Sequence, residues 1–366
     1  VGLRVLDLSL FLPGPMLTLM MADHGADVIK IEPVGEGEPT RHIGYRKRGE
    51  SVWFRNTHRG KRSLQLDLKA AADHALFMSL AAEADVVIEA FRPGVAKRLG
   101  VDYDAVSAIN PGVIYCSISA FGQTGPYRDR PAHDVAVQAL AGLVALNEGR
   151  DGLPAMPALP AGDALSSLPA LSGVLMALLR RRETGKGDYL DVAMFDSLLA
   201  WTPNVTGRIF ATGAPHVVKE ERSWGGAAFY NLYRTSDGRW LALGGSEVKF
   251  ARSLLTALGR PDLIPLAETP PGPTQEPLRA FLTDTFLQHP LDYWAVWLAD
   301  KDVCWAPVRT LKDAFDDPAV AARGMLARDG AGDEMVGSPI RFLHEPAQIA
   351  AAVPSLDQHG ADIRAQ

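Results

Sequence analysis

Hydrophobic and polar positions follow two rhythms in the first half of the chain. Short apolar runs of strand length recur at Arg4–Leu8, Asp27–Glu32 (DVIKIE), Ser63–Leu68 (SLQLDL), Asp85–Ala90 (DVVIEA) and Val113–Ala120 (VIYCSISA), and the stretches between them carry apolar residues at helical spacing. Near-continuous apolar runs suit strands buried on both faces, so their alternation with helices predicts a mostly parallel sheet covered on both sides. A loop is expected at Pro13-Gly14-Pro15, then a helix ending at Gly25. Residues 164–183 form one long apolar helix, and Tyr189–Met194 a further strand.

The rhythm changes after residue 205. Ala228–Arg234, the turn Ser236-Asp237-Gly238 and Trp240–Gly244 read as a β-hairpin. A helix follows over Val248–Leu258, and Pro270-Pro271-Gly272-Pro273 punctuates the chain before more helices. The expected fold is α/β: a large doubly wound, Rossmann-like domain over residues 1–205, completed by the C-terminal tail 330–366, with a smaller α+β domain over 225–325. No internal repeat is visible.

Composition narrows the function classes. A chain of 366 residues, 47% hydrophobic and 22% charged, can bury a large core. The net charge of -6, with both signs interspersed, argues against a nucleic-acid partner but leaves room for a local cationic site for a phosphorylated ligand. Cys116 and Cys304 sit in apolar, strand-like contexts without metal spacing and read as buried thiols. No uninterrupted apolar run reaches the about 18–20 residues that span a bilayer. The opening Val-Gly-Leu-Arg-Val-Leu-Asp-Leu reads as a strand rather than a signal peptide, so a soluble, cytoplasmic chain without a membrane partner is expected.

A βαβ start raises the possibility of a nicotinamide enzyme. The dinucleotide fingerprint needs Gly-x-Gly-x-x-Gly after the first strand, so that the backbone can approach a pyrophosphate. That place holds Phe11-Leu12-Pro13-Gly14-Pro15, whose prolines remove N–H donors, and the dehydrogenase reading fails.

Three side chains are candidates for chemistry, each with a plain structural alternative. Asp163, in Pro160-Ala161-Gly162-Asp163, is either the N-cap of the long helix or a carboxylate that small neighbours leave open to a bulky ligand. His133, in Ala132-His133-Asp134, is either a surface or capping group or an imidazole titrating near neutral pH and fit to move a carbon-bound proton. Glu247, in Gly244-Gly245-Ser246-Glu247-Val248-Lys249-Phe250, is either a solvated residue at a helix start or the carboxylate partner of an imidazole.

These motifs stand in a fixed order with Phe121-Gly122-Gln123-Thr124-Gly125-Pro126-Tyr127 before them and Arg180-Arg181-Arg182-Glu183-Thr184-Gly185-Lys186-Gly187 after Asp163. The set resembles the family III CoA-transferases (CaiB/BaiF) over nearly the whole chain. With His at 133 and a spacing of 163 − 133 = 30, it is most similar to their α-methylacyl-CoA racemase branch. That resemblance implies acyl-CoA as substrate, no metal or redox cofactor, and an interlocked homodimer. It implies first an epimerase of 2-methyl-branched acyl-CoA thioesters, with His133, assisted by Glu247, and Asp163 as the two acid/base groups and with helix starts near Asp134 and Asp163 supplying N–H donors to an enolate. The alternatives are a CoA-transferase with Asp163 as nucleophile and a non-catalytic acyl-CoA binder. For coenzyme A the resemblance nominates Leu12, Pro13, Leu66, Lys69, Ala90, Phe91, Arg92, Arg98, Ala132 and Asp134, with Lys61 and Arg62 as weaker candidates; the cations among them suit phosphate. Three segments depart from the racemase pattern. Asp134–Leu140 (DVAVQAL) and Glu50–Asn56 (ESVWFRN) look like transferases, and Ser166-Ser167 replaces a glycine-rich stretch.

Overall fold

The computed structural model describes residues 2–350 and 352–366. The chain divides into two compact units, one of Val1–Gly142, Pro157–Thr202 and Phe315–Gln366, the other of Leu143–Met156 and Pro203–Ala314.

The main sheet of the first unit has six strands: β1 (Arg4–Asp7), β2 (Asp27–Glu32), β3 (Arg62–Gln65), β4 (Val86–Glu89), β5 (Ile114–Ser119) and β6 (Asp188–Ala193). Every neighbouring pair is parallel, in the order β3-β2-β1-β4-β5-β6. The connecting helices are α1 (Pro13–Asp23), α2 (Ala71–Ala82), α3 (Val95–Leu99), α4 (Tyr103–Ile109), α5 (Asp134–Leu140), α6 (Ala161–Thr184) and α7 (Met194–Ala200). Successive strand residues point to opposite faces, and both faces are buried. Val5, Val28, Ile88, Ile114 and Cys116 pack with Leu17 and Met21 of α1 and Val174 and Leu178 of α6. Leu6, Ile29, Val87 and Tyr115 pack with Phe77 and Leu80 of α2 and Val106 of α4. The strand order reverses between β1 and β4, so the loops leaving their C-terminal ends diverge and open a crevice, the usual ligand position in such sheets.

The strand read from DVIKIE coincides with β2, whereas Pro13 and Pro15, read as a loop, form the first turn of α1. A proline costs nothing there, because the first N–H groups of a helix lack intrahelical partners anyway. Helix α6 starts three residues earlier than expected, at Ala161. By length and composition it is also the one helix among the described residues apolar enough to cross a bilayer, which counting unbroken apolar runs missed because serines and a proline interrupt it.

The β3 edge is covered by residues 357–364. Asp357 Oδ1 accepts from Gln65 N at 2.8 Å, His359 N donates to Ser63 O at 3.1 Å and Arg364 Nη2 donates to Gln65 O at 2.8 Å, while Ile363 enters the core. An open strand edge would otherwise expose unpaired backbone groups.

In the second unit β7 (Tyr230–Arg234), β8 (Trp240–Gly244) and β9 (Trp305–Pro307) form an antiparallel sheet ordered β9-β8-β7. Leu241 and Leu243 pack with Leu254 of α8 (Val248–Ala257), Leu282 and Phe286 of α9 (Glu276–Phe286) and Trp294 of α10 (Leu291–Leu298). Residues 143–156, left in the large domain by the sequence reading, group with this unit; the Arg150 guanidinium lies 4.0 Å from the Trp240 ring centroid. Cys116 is buried in β5 as expected, but Cys304 is exposed, because it lies at the edge position just before β9.

Candidate active site

Asp163 lies in the first turn of α6, not at its N-cap. The capping role falls to Asp134, the first residue of α5. Its Oδ1 accepts from Gly162 N at 2.7 Å and Asp163 N at 3.2 Å. The absent side chain of Gly162 makes room, since a Cβ there would stand 2.9 Å from Asp134 Oδ1. Gln138, one turn along α5, holds Asp134 by donating Nε2–H to Oδ2 at 2.6 Å and to the Leu159 carbonyl at 3.1 Å. The remaining N–H groups of the turn are also engaged, Ala161 with Leu159 O and Ala164 with Pro160 O. The expectation that this helix start offers free donors to a reacting oxygen is therefore corrected.

This arrangement sets the electrostatics of Asp163. A helix N-terminus ordinarily favours a carboxylate, but here Asp134 occupies that end. Burial, and then the Asp134 charge, push the Asp163 carboxyl up to about 7. Among the described residues its carboxylate accepts no hydrogen bond. A half-buried acid poised at neutrality, without a partner of its own, is suited to bond formation or proton transfer.

His133 is exposed at the N-cap position of α5, with no capping bond from its side chain. Its ring meets Phe11 edge to face, centroids 6.1 Å apart. Phe11 itself has φ 65, in the left-handed region. Such a conformation costs a bulky residue about 1–3 kcal/mol and persists only where its surroundings impose it.

What imposes it is a buried ionic network that sequence reading missed. Asp7, Lys30 and Glu38 are fully buried and Lys61 nearly so. Lys30 Nζ lies 3.6 Å from Asp7 Oδ1 and 3.2 Å from Glu38 Oε2, and it donates to the Ser9 carbonyl. Lys61 Nζ is 3.1 Å from Asp7 Oδ2 and 3.0 Å from the Pro15 carbonyl. Glu38 Oε1 accepts the Phe11 N–H at 2.9 Å. Burial alone would raise the Asp7 carboxyl, but Lys30 and Lys61 hold it well below the usual carboxylate range. Burial pushes Lys61 down to about 8 against the pull of Asp7. Two backbone carbonyls and one N–H of the 9–15 loop are thus tied to buried charges. The signal was present in DVIKIE, where Lys30 and Glu32 interrupt a strand whose position demands burial on both faces.

The nominated coenzyme A residues divide. Leu66, Lys69 and Phe91 line a cavity of about 430 Å³ with Leu10, Ile31 and Leu99, at the C-terminal ends of β1, β2, β3 and β4. Its walls are largely apolar, and Lys69 is the one cation lining it, with the carboxylates Glu32 and Asp67. Arg92 lines a second cavity, of about 270 Å³, with Glu89, Ser117, Gln123 and Tyr189. Arg98 is exposed at the end of α3. Among the described residues the side chains of Lys69, Arg92 and Arg98 form no ion pair. Leu12 caps α1, and Pro13 O accepts from Ser167 Oγ at 2.7 Å, joining this loop to α6 one turn past Asp163. Ala90 and Ala132 are half-buried in the loops after β4 and before α5. Lys61 and Arg62 do not serve as expected, being occupied by Asp7 and, bidentately, by Asp27 at 2.6 and 2.8 Å. Glu247 lies in the second unit, exposed at the N-cap of α8 without a capping bond. Glu89 was not anticipated; burial pushes its carboxyl up to about 7 against the hydrogen bonds from Ser117 Oγ and Phe91 N.

Comparison with known proteins gives this geometry its context. The sequence profile of CoA-transferase family III matches residues 1–360. The chain is 33% identical to an acetyl-CoA:oxalate CoA-transferase of Acetobacter aceti, covering 99% of this chain and 94% of the relative. It is 31% identical to a succinate–glutarate CoA-transferase of Agrobacterium fabrum, covering 100% and 94%. A CAIB/BAIF family protein from Brucella suis superposes with a TM-score of 0.86 at 33% identity, covering 100% and 98%.

Proposed function

Because the chain belongs to CoA-transferase family III, we propose that it moves coenzyme A from an acyl-CoA donor to a carboxylic acid acceptor with Asp163 as nucleophile. The observation that carries this reading is the Asp163 carboxyl, half-buried, without a hydrogen-bond donor of its own and poised near neutrality beside Asp134. In its ionised form Asp163 attacks the thioester carbonyl and expels the CoA thiolate, leaving a mixed anhydride. The thiolate then attacks the aspartyl carbonyl, releases the first acid and leaves an aspartyl–CoA thioester. The acceptor carboxylate attacks that thioester, and the thiolate returns to the new acyl group, regenerating Asp163. The oxalate and glutarate relatives support a short dicarboxylic acid as acceptor.

Epimerisation, the first expectation from the sequence, takes second place. It rests on His133, while the relatives are transferases. Glu247 as partner of His133 belongs to that second reading.

One experiment separates the two. The protein is incubated in D₂O with succinyl-CoA or a 2-methylacyl-CoA, with and without a panel of mono- and dicarboxylic acids, and the thioesters are read by mass spectrometry. We expect a new acyl-CoA only when an acid is added, with a rate that rises with pH through about 7 as Asp163 ionises. Deuterium uptake at the α-carbon without any acid, and no new thioester, would transfer the assignment to the epimerase.

We also propose a homodimer. Helix α6 leaves Leu168, Leu175, Met176 and Leu179 exposed along one stripe, from 43% to 66%. That much apolar surface calls for a cover, and the family resemblance supports a second copy. Light scattering of the purified protein is expected to give twice the chain mass; a monomer at micromolar concentration would refute it.

A further inference from the structure

We propose that Phe11 is a positioning residue of this site, held by buried Glu38 in its left-handed conformation so that its ring fixes the imidazole of His133. The inference adds a residue to the site read above, and rests on the second reading, in which His133 moves a proton, for its consequence on turnover. Three observations meet here. Phe11 is a bulky aromatic at φ 65, a backbone state that glycine would occupy without strain. Its N–H is received by Glu38, which is fully buried, paired with Lys30 and also accepts from Thr40 Oγ1 at 3.2 Å. Among the described residues His133 has no side-chain hydrogen bond or ion pair, and its ring contact is the edge-to-face one with Phe11.

The loop is clamped at both ends, so the ring cannot drift. Lys30 holds the Ser9 carbonyl and Ser167 the Pro13 carbonyl. Gly14 closes the turn, because a Cβ there would come within 2.2 Å of the Ser9 side chain. A glycine at 11 would keep this backbone and relieve it; an aromatic at 11 makes sense only for what its ring touches. The ring touches the one exposed imidazole beside Asp134, whose other neighbour in space is the start of α6. Strain retained at such a point marks a residue kept for position.

The test compares Phe11→Gly, Phe11→Leu and Phe11→Tyr in the full-length protein, with histidine labelled for NMR and steady-state kinetics run in parallel. Phe11→Gly is expected to melt within a few degrees of the parent. The His133 ring-proton signals should move by loss of the aromatic ring current in Phe11→Gly and Phe11→Leu, and return in Phe11→Tyr. In the same order the exchange of the α-proton of a 2-methylacyl-CoA, the reaction that uses His133, should fall at least about tenfold and recover, with KM for acyl-CoA within about threefold. His133 signals that overlay the parent's in Phe11→Gly overturn the proposal, whether or not the parent transfers CoA. So does a Phe11→Gly protein that exchanges the α-proton at the parental rate. A parent without transfer activity, but with the predicted NMR shifts, counts against the transferase reading and leaves the Phe11–His133 coupling standing.

Discussion

Asp163→Asn is expected to abolish turnover while making the protein more stable at alkaline pH. Loss of the nucleophile should cost several orders of magnitude in rate and remove any covalent CoA adduct detectable by intact-protein mass spectrometry. Coenzyme A binding should persist, because Asp163 is not among the residues lining the apolar cavity that holds Leu66, Lys69 and Phe91. The stability gain follows from linkage. The folded-state carboxyl sits at about 7 against an ordinary 3.8, so the folded state holds the proton more tightly than the unfolded one. The group's favourable contribution is complete below 3.8 and is lost as pH rises through about 7, above which the fold carries a half-buried charge beside Asp134. Asparagine never ionises. The variant's melting temperature should therefore exceed the parent's at pH 8, with the gap narrowing steadily towards pH 4. An equal or lower melting temperature at pH 8 would contradict the placement of Asp163 next to Asp134, and residual transfer would contradict its role.

Lys30→Met is expected to be the most damaging single change in the first unit. It leaves Asp7 and Glu38 buried with Lys61 as the only nearby ammonium group. Removing one member of a buried pair costs about 3–5 kcal/mol, because the remaining charge loses its compensation inside a medium that solvates it poorly. For a unit of this size that corresponds to a fall of roughly 10 °C or more in melting temperature. Lys61→Met should cost less, since Lys61 is already held at about 8 by its burial and binds its proton less tightly. Thermal or urea unfolding of both variants orders them. A Lys30→Met protein that melts with the parent would show that the network contributes little to the fold.

The sheet was legible because its strands sit at fixed apolar runs. DVIKIE coincides with β2, and the β7–β8 hairpin lies where its Ser236-Asp237-Gly238 turn places it. Asp163 was legible as the residue opening a long helix. Its environment was not, since the capping group comes from Asp134, 29 residues away along the chain, and a contact made by folding leaves no local pattern. The same holds for Glu38 and Phe11, 27 residues apart. Gln138, in a segment already transferase-like, had a definite task in clamping Asp134, and Ser167, in place of a glycine, donates to the Pro13 carbonyl. Cys304 was misplaced because an apolar neighbourhood along the chain does not reveal which side of a short edge strand faces water.

The seal on β3 dictates an order of events at the ribosome. Gln65 is bonded to Arg364, 299 residues later. At translation rates of about 5–20 residues per second, roughly 15–60 seconds separate the emergence of the two partners. Throughout that interval the nascent sheet displays an unfinished rim able to recruit a neighbouring chain, until the segment carrying Arg364 has emerged to close it.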